Sequence, residues 1–126
     1  MPPRPITVLL VDDHPAVRRS LRSRLEFEPD FRVLGEAADG REAVLKLHQL
    51  DPDVIVLDVK MPELDGLSVA WKMHAEGRRT RSVVLTVHDD RATRARAQAA
   101  HVDRFVSKHG GAEPLLTAIR EASQAA

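Results

Sequence analysis

Five side chains of this 126-residue chain have the types and placement to do chemistry together. Asp12 and Asp13 follow the apolar run Ile6 to Val11. Asp58 follows the run from Asp53 to Leu57, Thr86 lies in Ser82 to Val87, and Lys108 follows Arg104 to Ser107. If each run is a strand of one parallel sheet, all five stand at the carboxyl ends, where open α/β sheets bind ligands. Three carboxylates in one cleft repel: two unit charges roughly 4 Å apart cost about 4 kcal/mol at an effective dielectric near 20. A hard divalent cation relieves that repulsion. All-oxygen ligands with no His or Cys favour Mg²⁺ over Zn²⁺, with Mn²⁺ as a substitute. Mg²⁺ commonly shares its shell with waters and a phosphate. Lys108 offers phosphoryl oxygens a point charge, and Thr86 offers a donor. A carboxylate beside the ion can act as nucleophile and become an aspartyl phosphate. Asp58 takes that role here, because it stands alone after the most apolar run, whereas Asp12 and Asp13 form an acidic pair.

The elements that must hold these residues alternate along the chain. β-rich runs span Ile6 to Val11, Phe31 to Ala37, Asp53 to Leu57, Ser82 to Val87 and Arg104 to Ser107. Helical stripes fill the gaps. Val17, Leu21 and Leu25 form the first; Ala43, Val44, Leu47 and Leu50 the second. The third helix runs from about Leu67 to Glu76 and the fourth from Asp89-Asp90 to about Ala100. The last carries Pro114 in its first turn and turns Leu115, Ile119 and Ala122 inward. Short connections and fully apolar strands predict a parallel sheet covered on both faces. Five βα units predict a flavodoxin-like (βα)5 sandwich with strand order 2-1-3-4-5, since a barrel needs eight. One domain over residues 1–126, with its core at about 6–122 and no second domain, is expected.

Composition excludes several other functions. Nineteen Lys+Arg balance nineteen Asp+Glu, so there is no global field for nucleic acid or an anionic membrane. Aromatics are 3%, too few for a base-stacking platform. The absence of Cys removes disulfides, zinc thiolates and thiol catalysis. The start, Met1-Pro2-Pro3-Arg4-Pro5, does not read as a signal peptide, and no run approaches a membrane span. A cytoplasmic location is the expectation. The neutral total conceals a division: residues 1–65 carry net −4 and residues 66–126 net +4.

Taken in order and at these spacings, Val8-Leu9-Leu10-Val11-Asp12-Asp13, Val54-Ile55-Val56-Leu57-Asp58, Met61-Pro62-Glu63-Leu64-Asp65-Gly66, Val84-Leu85-Thr86 and Phe105-Val106-Ser107-Lys108 resemble a CheY-like receiver domain of a two-component response regulator. The resemblance covers about Ile6 to Ala122. It implies that Asp58 accepts a phosphoryl group from a sensor histidine kinase. It implies Mg²⁺ ligation by Asp13, Asp58 and the Lys60 backbone carbonyl, with Asp12 acting through a metal-bound water. Lys108 would pair with the phosphoryl group, Thr86 would swing toward it, and Phe105 would move inward behind Thr86. That movement would alter the face made by the fourth helix, fifth strand and fifth helix. Self-phosphorylation from small donors and slow autodephosphorylation are expected; turnover of an external substrate is not, so the domain reads as a switch rather than an enzyme. His14-Pro15, and Ser107-Lys108-His109 without a following proline, are similar to receivers that precede a LuxR-type helix-turn-helix domain. The reading adopted is a receiver cut from a longer transcriptional regulator, which touches DNA only through that absent domain and can pair into homodimers on phosphorylation. The alternatives are a stand-alone receiver acting through protein partners, a degenerate receiver, and a small Mg²⁺-dependent phosphatase. The last wants an acid two residues after the nucleophile, where this chain has Lys60.

Several residues depart from the pattern. His101 stands where relatives often have Gly and is expected to hold a strained helix end. Arg104 puts charge beside Phe105. The fourth helix offers only Ala92, Ala95, Ala97, Ala99 and Ala100 as apolar positions, so little area is buried and a mobile or shifted helix is expected. Lys60 and His88 lie two residues beyond Asp58 and Thr86, at the rim of the site, where bulk and charge would impede attacking water. Trp71 reads as a boundary residue over Leu67. The six His show no paired metal spacing and are assigned no metal.

Overall fold

The computed structural model describes residues 4–124; the first three residues and the last two of the Ala-rich end lie outside the described residues. Five strands, β1 (Ile6–Val11), β2 (Phe31–Ala37), β3 (Val54–Leu57), β4 (Arg81–Thr86) and β5 (Arg104–Ser107), alternate with helices α1 (Pro15–Glu26), α2 (Gly40–Leu50), α3 (Gly66–Ala75), α4 (Arg91–Ala99) and α5 (Glu113–Gln124). All pairings are parallel, in the order β2-β1-β3-β4-β5. The predicted sheet order is the observed one.

The period-two alternation of strand side chains divides the core. Val8, Leu10, Val54, Val56, Val83, Leu85 and Val106 pack against Leu25 of α1 and Leu115, Leu116 and Ile119 of α5. Leu9, Val11, Ile55, Leu57 and Val84 pack against Ala43 and Leu47 of α2, Leu67, Val69, Ala70 and Met73 of α3, and Ala97 of α4. A sheet buried on both faces explains why its central strands are apolar without alternation. The β1–β2 register slips between Val8 and Leu9, where Leu34 is skipped.

Two strand boundaries and one connection differ from expectation. β3 begins at Val54, because the Asp53 side chain accepts from the Thr7 N–H and hydroxyl and caps the β1 edge. β4 runs from Arg81 to Thr86, one residue earlier at each end, and leaves Val87 outside the sheet and 47% exposed. Beyond β5 a short 3₁₀ turn, Lys108–Gly110, is capped by Ser107, whose hydroxyl accepts from the His109 N–H.

α4 corrects the expected alanine stripe. Thr93, Ala97 and Ala100 are buried, whereas Ala92, Ala95 and Ala99 face solvent. The spacing of i, i+4 and i+7 selects one face, and the other alanines lie off it. His101, just past the helix, has φ +60. Its ring stacks on His74 of α3 at 3.7 Å and 9°. The anticipated strained end is there, held by an unanticipated partner. Trp71 of α3 is 57% exposed and lines a groove with Leu67, as read from the sequence.

Candidate functional site

The site is assembled at the carboxyl ends of β1, β3 and β5. Asp12 continues β1: its N–H donates to the Ala37 carbonyl, and its own carbonyl accepts from Arg18 at 2.6 Å. Arg18 is itself held by Glu36 at 2.9 Å. The Asp58 N–H donates to the Val11 carbonyl across β1–β3. Both carboxylates are therefore fixed through their backbones, and both are nearly inaccessible at 2% and 7% exposure.

The loop after Asp58 is seated by glycine. A Cβ at Gly66 would overlap the Asp58 carbonyl oxygen, and one at Gly40 would overlap the Leu64 carbonyl. The Gly66 N–H donates to the Val59 carbonyl at 2.9 Å, and Asp65 caps α3 by accepting from the Ser68 N–H. Met61-Pro62-Glu63-Leu64-Asp65-Gly66 is thus a loop in which small size at its end sets the position of Asp58.

Lys108 closes the site. Its Nζ donates to Asp12 Oδ2 at 2.9 Å and to Asp58 Oδ2 at 3.0 Å. Burial pushes the ammonium toward neutrality, but the hydrogen bonds it donates to both carboxylates outweigh that and hold the pKa above the ordinary lysine value. The remaining oxygens are unequally served. Asp58 Oδ1 accepts from the Val59 N–H at 2.7 Å and Asp12 Oδ1 from the His14 N–H at 2.9 Å. Asp13 Oδ1 is buried and accepts no hydrogen bond, although His14 Nδ1 stands 3.1 Å away.

One ligand atom from each of Asp12, Asp13, His14 and Asp58 lies within 4.8 Å of the others. A buried carboxylate oxygen without a donor, beside two more carboxylates, is an arrangement a hard cation completes. The residues fit Mg²⁺. His14, to which the sequence assigns no metal, stands beside the three acids. Its ring is largely exposed, and imidazole suits softer ions than Mg²⁺. The Asp-x-His spacing, in which Asp12 accepts from the His14 backbone, is the signal that could have found it.

The other sequence-selected residues fall around this centre. Thr86 is fully buried at the end of β4, in register with Ser107, and its Oγ1 accepts from the His88 N–H at 3.1 Å. Phe105 pairs with Val84 and is half-buried against the second core cluster. Lys60 is exposed and His88 half-buried. Two contacts escaped the sequence: Arg18 beneath Asp12, and Arg94 of α4, whose guanidinium carbon lies 4.5 Å from the Phe105 ring centroid. Neither an Arg in α1 nor one in α4 differs by type or spacing from an ordinary solvated cation.

Known proteins share this sequence pattern and fold. Residues 8–120 match the model of the response regulator receiver domain. Over 119 residues the chain is 34% identical to the nitrate/nitrite response regulator protein NarL of Escherichia coli K12, covering 94% of this chain and 55% of that one. The chain spans about half the length of the curated relatives it matches. The signal receiver domain of a putative response regulator NarL from Mycobacterium tuberculosis superimposes with a TM-score of 0.94 at 28% identity, covering 98% of this chain and all of that one. A LuxR-family two-component response regulator from Aurantimonas sp. SI85-9A1 does so with a TM-score of 0.89 at 29% identity, covering 94% and 85%.

Proposed function

The chain belongs to the response regulator receiver domain family, and from that premise we propose that it is a phosphorylation-controlled switch whose acceptor is Asp58. The observation that carries the reading is the shared ammonium: Lys108 bridges Asp12 and Asp58 in a cluster that leaves Asp13 Oδ1 without a donor. The phosphoryl donor is the phosphohistidine of a sensor histidine kinase. An Asp58 carboxylate oxygen forms the new P–O bond as the donor's P–N bond breaks, and the imidazole leaves with the electron pair. Asp13, Asp58 and the Lys60 carbonyl would hold Mg²⁺, and Asp12 would serve it from the same acidic cluster. When bound, that ion neutralises charge on the phosphoryl oxygens. Lys108 follows the charge from the carboxylate to the phosphoryl group, and Thr86 exchanges its contact with the His88 N–H for one with a phosphoryl oxygen. Phe105 then turns inward, and the face of α4, β5 and α5 changes shape. Output to transcription runs through a LuxR-type DNA-binding domain, in keeping with relatives nearly twice this length.

The domain hydrolyses its own aspartyl phosphate slowly and turns over no external ester. Incubation with a small phosphoryl donor and Mg²⁺ tests the reading. One equivalent of phosphoryl is expected on the wild type and none on Asp58→Asn. Equal incorporation in Asp58→Asn would overturn the assignment.

A further inference from the structure

Within α4 only Thr93 and Ala97 are buried, and the rest of the helix is exposed. On one side of it, Leu64, Leu67, Trp71 and Arg96 line an open groove of about 590 Å³ against α3. Side-chain contacts therefore decide where α4 rests. Arg96 reaches Asp65 only at 3.5 Å, both groups being well solvated. Arg94 makes the more structured contact. Its Nε donates to the Asp89 carbonyl at 3.2 Å, in the loop between Thr86 and α4, while its guanidinium lies over Phe105. One side chain thus joins three pieces: the loop that continues from Thr86, the helix, and the half-buried aromatic of β5.

We propose that Arg94 is a latch, a positioning residue that holds Phe105 in its half-exposed place and so sets how readily phosphorylation switches the domain. The inference deepens the switch reading and rests on it. The ring as it stands lies under the guanidinium and also packs against the second core cluster. Turning inward, it must leave the cation, because Arg94 is tethered to Asp89 and cannot follow. A partly exposed cation–π pair shifts such an equilibrium about two- to fivefold. Loss of the guanidinium therefore favours the inward ring, and by linkage it tightens binding of a phosphoryl analogue at Asp58 by the same factor.

Two readouts on the whole chain test this, with Arg94→Gln as the variant and 4-fluorophenylalanine at the three phenylalanines. The Phe105 resonance is assigned through Phe105→Leu. Without any ligand, paramagnetic relaxation by a soluble agent should fall at the Phe105 fluorine in Arg94→Gln, because the ring withdraws from solvent. An equal or larger relaxation, which simple removal of a covering side chain would give, overturns the latch whether or not the site binds a phosphoryl analogue. The affinity for beryllofluoride with Mg²⁺ should rise about two- to fivefold in Arg94→Gln. In the Phe105→Leu background the same change should have no effect. Unchanged affinity with a withdrawn ring would break the coupling to Asp58. Absence of beryllofluoride binding in the wild type would sink the switch reading, while the ligand-free readout still decides the latch.

Discussion

β3 is flanked by two aspartates five positions apart, and they lead opposite lives. Asp53, before the strand, accepts from the Thr7 N–H and hydroxyl at 2.9 Å each, from Arg4 at 2.7 Å and from Arg79 at 2.8 Å. Burial would raise its pKa, but the Thr7 and Arg79 hydrogen bonds more than reverse that and hold it below the ordinary carboxylate range. Asp58, after the strand, shares a single lysine with Asp12 and has a third carboxylate as neighbour. One end of the strand is saturated with donors and the other is short of them. The same residue type on the same strand is structural at the donor-rich end, and the proposed acceptor at the end where three carboxylates share one lysine.

Three experiments press on that contrast. Asp53→Ala should have the largest effect, lowering the unfolding free energy by about 2 kcal/mol. It leaves the Thr7 N–H without its acceptor and takes one of three acceptors from Arg79. Urea denaturation measures the loss, and phosphoryl uptake per folded molecule should not change. A drop in uptake would mean that the two ends are not separable. Next is the response to Mg²⁺. At about ten times its Kd the ion should raise the unfolding free energy of the wild type by about 1.4 kcal/mol through mass action. In Asp13→Asn the gain should shrink, and the ion-free variant should be more stable than the ion-free wild type, because a repulsion has gone. Matching gains in both proteins would remove Asp13 from the site.

The smallest effect is in pH. A carboxyl whose folded pKa lies below its unfolded value, about 3.9 for Asp and about 4.3 for Glu, contributes stability above that value and loses it as pH falls through the folded one. Asp53 is such a group, and so is Glu36, lowered chiefly by its hydrogen bond from Arg22. Stability should therefore decline below about pH 4, with a shallower decline in Asp53→Asn. Lys108 works at the other extreme. Its raised pKa contributes stability below about pH 10.4, lost as pH rises through the folded value, and Lys108→Met should remove that alkaline limb.

The carboxyl end of the sheet was legible in the sequence because its parts are unusual there. A charged residue directly after an apolar strand breaks the strand's own pattern, as Asp12, Asp13, Asp58 and Lys108 do, whereas Thr86 ends its strand as an ordinary β-former and stands out only beside them. Sheet order followed from counting βα units. What stayed hidden depends on distance in three dimensions. Asp53 reads as the first residue of a strand, and nothing local says that Thr7, Arg4 and Arg79 will meet it. His101 announces a strained helix end, but the His74 ring that covers it lies on another helix. Arg94 has the type and spacing of any solvated arginine, and only the path of β5 brings Phe105 beneath it.

Gly40 and Gly66 belong to different helices, yet each abuts a carbonyl of the segment that runs from Asp58 to Leu64. The clearance at both points is less than one methyl group. In terms of inheritance, the acids of the site are exposed to loss by a change at the acids themselves and also by the smallest possible change at either glycine. An alanine at 40 or 66 alters no charge, removes no hydrogen-bonding group, and still moves the seat on which Asp58 is carried. A survey of natural variants that weighs only the acidic residues would count such a chain as intact, although its acceptor is no longer aimed where the lysine reaches.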